Sequence, residues 1–186
     1  MNHLAILPVL LPLVTGSLLL LTSRLAEGLR RAIGFAATLA LLPIALLLLS
    51  QVTDGSHVVY ALGAWQPPFG IVLVADRLSA LMLLLTAIVA IASHVYAGDG
   101  QDTAGPQFQA LFQFQLLGIN GAFLTGDLFN LFVFFEVLLI ASYALLLHGL
   151  GAGRVGAAIH VVVLNLIGSA LFLFAVGTLY GVTGTL

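Results

Sequence analysis

The sequence predicts an all-α integral membrane protein built as a bundle of about six transmembrane helices. Charged residues make up 6% of the chain and hydrophobic residues 61%, and the mean hydropathy is +1.20. Soluble domains carry about 25% charged residues because their surfaces face water. A chain this poor in charge cannot cover its surface with polar groups, so it is expected to face lipid.

Six apolar blocks define the expected helices. Each block approaches the roughly 20 residues that cross a hydrocarbon core about 30 Å thick. Lipid offers backbone groups no hydrogen-bond partners, so each block is expected to form a helix. The blocks are residues 4–22, 32–50, 79–97, 108–125, 128–147 and 157–180, and together they predict a single transmembrane domain over residues 1–186.

The arginines predict the orientation of the helices. When successive blocks alternate across the membrane, Arg24, Arg30, Arg31 and Arg154 fall on one side and only Arg77 on the other. Cytoplasmic loops carry an excess of Lys and Arg. The sequence therefore predicts a multi-pass protein of the cell (cytoplasmic) membrane with both termini outside. The first block is expected to be a retained helix, because it is too long for a signal peptide and no Lys or Arg precedes it.

The connection between the second and third helices has a β-rich pattern. Within residues 51–76, two short runs at 57–62 and 70–75 flank a turn that contains glycine and proline. This pattern predicts a short hairpin with a wide turn. An irregular loop with Trp65 anchored at the membrane interface fits the same residues equally well.

Several kinds of chemistry find no support in the sequence. The chain has no cysteine, which excludes disulfides and thiolate chemistry. The spacing of its five histidines matches no metal-binding motif, and no phosphate loop or dinucleotide fingerprint is present. We therefore predict no metal and no cofactor. The arginines are too scattered for a nucleic-acid surface, so no nucleic-acid partner is expected.

Glu136 is the most informative residue. It lies in the middle of the fifth apolar block, at a depth of about 13 Å for a rise of 1.5 Å per residue. A carboxylate at the centre of a spanning helix costs about 2.5–3.5 kcal/mol, and such residues usually face a partner, a water-filled cavity or an ion path. Glu136 is therefore predicted to take up and release protons. The alternative is a protonated carboxyl that only joins two helices.

Other polar residues are candidates to line a hydrated path with Glu136. Amides and hydroxyls also join membrane helices without any role in transport, and that alternative stays open for each of them. His94 lies inside a block and His160 near the start of one, where an imidazole suits proton relay, although an interfacial position is favoured for His160. The supporting candidates are Gln113, Asn120, Asn130, Tyr143 and Asn165.

Two motifs resemble a known family. The segment GDLFNLFVFFE, residues 126–136, resembles the fifth-helix motif of the antiporter-like subunits. These subunits are shared by Mrp-type multisubunit cation/proton antiporters and proton-pumping NADH:quinone oxidoreductases. YALGAW at 60–65 and GIVLVADRLS at 70–79 are similar to the stretch before the third helix of the D-type subunits of Mrp antiporters. By this resemblance, Glu136 occupies the position of the family's proton-pathway glutamate.

The resemblance also implies partners and a larger fold. Members of the family are longer and pair this glutamate with a lysine on a later helix, whereas this chain contains no lysine. The chain is therefore expected to be the N-terminal part of a longer family fold. The implied partners are other membrane subunits of a hetero-oligomeric complex, protons, monovalent cations and the lipid bilayer.

Three functions follow as hypotheses. The first is a membrane subunit of a monovalent cation (Na+)/proton antiporter, with Glu136 in the proton pathway. The second is an antiporter-like proton-pumping subunit of an NADH:quinone oxidoreductase or membrane hydrogenase. The third is a structural or assembly subunit without transport. In none of them is the chain itself an enzyme, since any redox centre would belong to partner chains.

Overall fold

The computed structural model describes residues 3–22, 24–65, 70–105, 107–149 and 151–185. Over these residues the chain is mainly helical, and the predicted all-α membrane fold is confirmed. The helices are α1 (Leu7–Leu21), α2 (Glu27–Gln51), α3 (Arg77–Ala97), α4 (Phe108–Leu124), α5 (Leu128–Leu146) and α6 (Ala152–Thr183). Two short strands, β1 (Val58–Ala61) and β2 (Val72–Ala75), lie between α2 and α3.

Five of the described helices are long and apolar enough to cross a membrane, judged by length and composition. The first of these joins α1 to the short 3-10 turn that precedes it, His3–Ile6. The helix outside this group is α4, which has 17 residues. At 1.5 Å per residue it reaches about 25 Å, which is at the short limit for a spanning helix.

Two helices begin five residues before the apolar blocks that predicted them. The second block begins at residue 32, but α2 begins at Glu27 and includes Arg30 and Arg31. The sixth block begins at residue 157, but α6 begins at Ala152. Hydropathy marks the apolar part of a helix, whereas the backbone hydrogen bonds continue into polar sequence at its end.

The strands form a hairpin, which is one of the two alternatives that the sequence left open. They pair antiparallel, with Val58 opposite Ala75 and Ala61 opposite Val72. The wide turn includes residues 66–69, which lie outside the described residues. The backbone N–H of Gly126 donates a hydrogen bond to Val72 O at 2.8 Å. The hairpin is thereby joined to the start of α5, the helix that carries Glu136.

Glycines let α4 pack closely against its neighbours. A Cβ atom on Gly118 would lie 2.6 Å from the backbone nitrogen of Leu138, and one on Gly121 would overlap the ring of Phe134. Small residues allow membrane helices to approach closely in this way. These contacts fix which face of α5 packs against α4.

The arginines lie at two ends of the bundle. Arg31, near the start of α2, contacts Asp102 between α3 and α4, and Arg154 contacts the backbone oxygen of His148 between α5 and α6. His148 in turn contacts Gln101 O at 3.1 Å, so these loops meet at one end, called here the arginine-rich end. Arg77 lies at the opposite end of the bundle, where its Nε donates to Val52 O just after the last residue of α2.

Candidate functional site

The start of α5 is fixed by a side-chain cap. Asp127 is the N-cap residue, and its Oδ1 accepts a hydrogen bond of 2.6 Å from the backbone N–H of Asn130. The Asn130 amide also donates to the other carboxylate oxygen of Asp127. Asn130 therefore serves the cap in this structure, at the end of α5 that adjoins the hairpin.

Glu136 lies near the middle of α5. It follows Leu128, the first residue of the helix, by eight positions and precedes Leu146, the last, by ten. The rise to Glu136 is about 12 Å at 1.5 Å per residue. A helix of this composition is a candidate membrane span, so the carboxyl lies near the centre of that span.

The carboxyl of Glu136 has a buried oxygen without a partner. The residue as a whole is half-buried, and Oε1 is enclosed yet has no hydrogen-bond partner among the described residues. Leaving a buried polar atom unpaired costs about 1–3 kcal/mol. Buried polar atoms that persist unpaired in native proteins require an explanation, and one such explanation is a functional role.

The face of α5 that carries Glu136 is turned away from α4. Phe134 and Leu138 lie against glycines of α4, and Ala141 on the same side is buried. At 3.6 residues per turn, Glu136 lies about 200° from both Phe134 and Leu138. Its side chain is therefore not directed at the polar residues of α4.

Gln113 and Asn120 of α4 face other helices. The Gln113 amide donates to Gly34 O at 2.9 Å and to Thr38 Oγ1 at 3.0 Å, both on α2. The Asn120 amide donates to Pro8 O of α1 at 2.9 Å. Both side chains are buried. The described contacts do not join either residue to Glu136, and their role beside that residue stays a prediction.

Tyr143 is on the same side of α5 as Glu136, two turns further along. Its hydroxyl is buried and has no hydrogen-bond partner in the described part of the chain. Seven residues correspond to about 10 Å along the axis, too far for a direct contact between the two side chains. A polar group that joined them would have to lie in the space between.

Asn165 faces a cavity between α5 and α6. The cavity has a volume of about 220 Å³, which is large enough for water molecules. Its polar side chains are Asn165 and Ser169, one turn apart on α6, and its remaining lining is mainly aromatic. The other lining residues are Phe132, Phe135, Leu139, Gly168 and Phe172.

A second polar group at the arginine-rich end was not predicted as a unit. Arg31 pairs with Asp102 through two hydrogen bonds, Nε to Oδ2 at 2.6 Å and Nη2 to Oδ1 at 2.5 Å. The Gln109 amide donates to Asp102 Oδ2 at 3.2 Å. Arg30 is only 7% exposed, and its Nη2 donates to Gln107 Oε1 at 3.2 Å. The sequence marked His94 and Gln113 as candidates, but Asp102 lies in a loop with no motif.

In sequence and fold the chain is similar to antiporter-like membrane subunits. Residues 125–186 match the family described as NADH:quinone oxidoreductase/Mrp antiporter, TM. Over its whole length the chain is 51% identical to a probable K+/H+ antiporter D-type subunit of Rhizobium meliloti, and 42% identical to an Na+/H+ antiporter D-type subunit of Alkalihalophilus pseudofirmus. It spans 35% and 38% of the lengths of these relatives.

Two solved structures have the same fold. A chain of the membrane-bound sulfane sulfur reductase, an archaeal respiratory membrane complex, is 33% identical with a TM-score of 0.91, over 99% of this chain and 38% of that one. A chain of the Mrp complex from Dietzia sp. DQ12-45-1b is 35% identical with a TM-score of 0.90. The match covers 100% of this chain and 36% of that one. The resemblance to Mrp-type antiporter-like subunits is thus confirmed.

Proposed function

We propose that the chain forms part of a membrane subunit of a monovalent cation/proton antiporter complex, in which Glu136 is the protonatable carboxyl of the proton pathway. In this role it is a transport subunit and not an enzyme. The proposal draws on the names of its relatives, which are antiporter subunits, and on the properties of Glu136.

The observation that carries the proposal is the buried Oε1 of Glu136, which lies near the middle of α5 and has no hydrogen-bond partner in the described part of the chain. A carboxyl at such a depth is costly to place in a membrane, and residues of this kind usually mark an ion or proton path. A purely structural carboxyl would be expected to use both oxygens in hydrogen bonds between helices. The free oxygen instead favours a group that exchanges its proton.

The transported cation is proposed only as a class. One relative is named for K+ and another for Na+, and Na+ is the cation that we would test first. Asn165 and Ser169 in the cavity between α5 and α6 offer oxygen atoms near the helix that carries Glu136. Asn130, Tyr143, Gln113 and Asn120 remain candidates for supporting roles.

The partners are proposed to be other membrane subunits and lipid. Most of α6 is exposed in the chain, and large apolar side chains such as Leu164 (69%) and Phe174 (77%) are among its most exposed. Exposed apolar surface of this extent requires lipid or protein cover. The arginine-rich end is proposed to face the cytoplasm, with both termini outside, because basic residues concentrate on that side.

A second candidate is a proton-pumping subunit of a respiratory complex. It is favoured by the similarity to a chain of the sulfane sulfur reductase complex. In that setting Glu136 would keep its role, and redox centres in partner chains would supply the energy. Cation dependence of proton movement in vesicles separates the two, because an antiporter requires the cation and a redox pump requires an electron donor.

The test is Glu136→Gln in the assembled complex. The amide keeps the shape of the side chain but cannot exchange a proton, so most cation-dependent proton flux is expected to be lost while subunit levels stay normal. Asp54→Asn is the matched control, because Asp54 is an exposed carboxyl in the turn after α2. Normal assembly together with parental flux in Glu136→Gln would assign Glu136 a structural role.

A further inference from the structure

Helices α2, α3 and α4 enclose a polar cluster close to the arginine-rich end, separate from Glu136. It is called here the His94 cluster and consists of His94, Thr38, Gln109 and Gln113. Their exposed fractions are 2% for His94, 0% for Thr38, 6% for Gln109 and 0% for Gln113. A titratable side chain is thus held among hydroxyl and amide groups in a buried position.

The hydrogen bonds of Thr38 determine which nitrogen of His94 carries a hydrogen. Thr38 Oγ1 donates to Gly34 O at 2.9 Å, accepts from the Gln113 amide at 3.0 Å and lies 3.3 Å from His94 Nδ1. A hydroxyl has one hydrogen and two lone pairs. Because the contact with Gly34 O is shorter than the contact with His94 Nδ1, the hydroxyl hydrogen is assigned to the bond with Gly34 O. Nδ1 of His94 is therefore assigned a hydrogen, which it donates to Thr38 Oγ1.

The other nitrogen then lacks a partner. His94 Nε2 and Gln109 Oε1 are both buried without a hydrogen-bond partner among the described residues, and the Gln109 side chain interacts electrostatically with the imidazole. The Gln109 nitrogen donates to Asp102 Oδ2 at 3.2 Å, which fixes the amide orientation. In neutral His94 both unpartnered atoms are therefore acceptors. A proton on Nε2 would satisfy both.

The backbone of α2 leaves room for this arrangement. A Cβ atom on Gly34 would overlap Gln109 Oε1, so only glycine at this position lets the oxygen take its place. Phe35, Phe108 and Phe112 surround the imidazole, with ring centroids 5.4, 6.4 and 5.0 Å away. All three contacts are T-shaped, an arrangement that aromatic rings favour.

The charged groups that act on His94 are Asp102 and Arg31, which have opposite signs and are paired with each other. Both line a cavity of about 170 Å³ at the arginine-rich end, together with Arg30, Glu27 and Gln109. A space of this size with polar walls can hold water. Gln109 belongs to the cavity wall and to the His94 cluster, so it connects the two.

The geometry points to His94 as a second proton-binding site, which takes a proton on Nε2 from water in the Arg31–Asp102 cavity and returns it to the same water. No covalent bond other than N–H and O–H forms or breaks. The use of this proton in transport rests on the function proposed above, whereas its binding does not. The two claims can therefore fail separately.

The first test measures whether water reaches the site. The chain has no cysteine, so His94→Cys can be probed in the assembled complex with a small, water-soluble methanethiosulfonate reagent. Ala90→Cys is the control, since Ala90 lies one turn away on α3 in a purely apolar cluster and is 4% exposed. Position 94 is expected to react several-fold faster. Equal, slow reaction at both positions would overturn the proposal.

The second test measures proton binding by 15N-histidine NMR of the assembled complex, with the His94 signal identified by its absence in His94→Gln. We expect this signal to change from the neutral to the protonated form as the pH is lowered. Gln109→Leu removes the acceptor and should leave a smaller protonated fraction at the same pH. Gln115→Leu, on another face of α4, should not.

A His94 signal that stays neutral throughout, or an equal response to both leucine variants, would overturn the site. If His94→Cys does not assemble, Gln109→Cys probes the same cavity wall. A titrating His94 in a complex that exchanges no cation for protons would leave the site standing and refute the proposed function.

Discussion

Asp76 and Ser79 cap α3 reciprocally. The backbone N–H of Ser79 donates to Asp76 Oδ1 at 2.7 Å, and the backbone N–H of Asp76 donates to Ser79 Oγ at 2.8 Å. The hydrogen bonds from the backbone and hydroxyl of Ser79 lower the pKa of the Asp76 carboxyl below its ordinary value. The cap fixes the start of α3 directly after the hairpin.

Asp76→Ala is expected to destabilise the protein by about 1 kcal/mol, the usual cost of losing an N-cap. The pKa of Asp76 is lower in the folded state than the value of about 3.9 expected when unfolded. Its contribution as a charged group is therefore present at neutral pH and lost as the pH falls through the folded value. Asp76→Asn keeps a cap that does not ionise.

Thermal unfolding of the detergent-solubilised protein across pH measures this effect. The parent should be more stable than Asp76→Asn at neutral pH, and the difference should shrink below about pH 4. Asp54→Asn, which alters an exposed carboxyl outside any helix cap, is the control. A difference that stays constant from neutral to acid pH would contradict the role of the charge.

Gly118 on α4 and Gly168 on α6 provide a matched pair of variants that tests the close packing of α4 against α5. A Cβ atom on Gly118 would meet the backbone of Leu138 at 2.6 Å, while one on Gly168 would meet nothing within 4 Å. Gly118→Ala is expected to force α4 and α5 apart, at a cost of about 1–3 kcal/mol. Gly168→Ala should be neutral or slightly stabilising, since alanine favours helix. Equal melting temperatures for the two variants would show that the close contact at Gly118 does not contribute to the stability of the protein.

The orientation can be measured with single cysteines at the two ends of α2. Glu27 lies at the start of this helix and Asp54 just beyond its end, and both are exposed. A membrane-impermeant maleimide on intact cells should label Asp54→Cys, while Glu27→Cys should react only after the membrane is permeabilised. This follows from the arginine bias. The opposite labelling pattern would reverse the proposed topology.

The sequence was sufficient for the features that depend on local pattern. Hydropathy located the helices, and two short β-rich runs around glycine and proline indicated where a hairpin could form, because both signals lie within one segment of chain. Gln113 and Asn120 are seven residues apart, a spacing that puts them on one face of the fourth helix. The spacing does not say which neighbour that face meets, and the structure places α2 and α1 there.

The pairing of Arg31 with Asp102 shows the same limit. Arg31 and Asp102 are far apart in sequence, and their pairing depends on where the loop between α3 and α4 folds. No motif links a loop aspartate to an arginine near the start of another helix. Glu136 was recognisable because a charged residue in the middle of an apolar block is costly wherever the helix packs.

Glu136→Asp tests whether the acid itself is required. Aspartate keeps an ionisable carboxyl but shortens the side chain by one methylene, so the proton can still be exchanged from a less suitable position. Proton flux in vesicles containing the assembled complex should fall below the parental rate yet stay above that of Glu136→Gln. Subunit levels in the membrane, measured alongside, should be equal in all three. Equal flux in the Asp and Gln variants, with normal assembly of both, would mean that the carboxyl at this depth does not act by exchanging a proton.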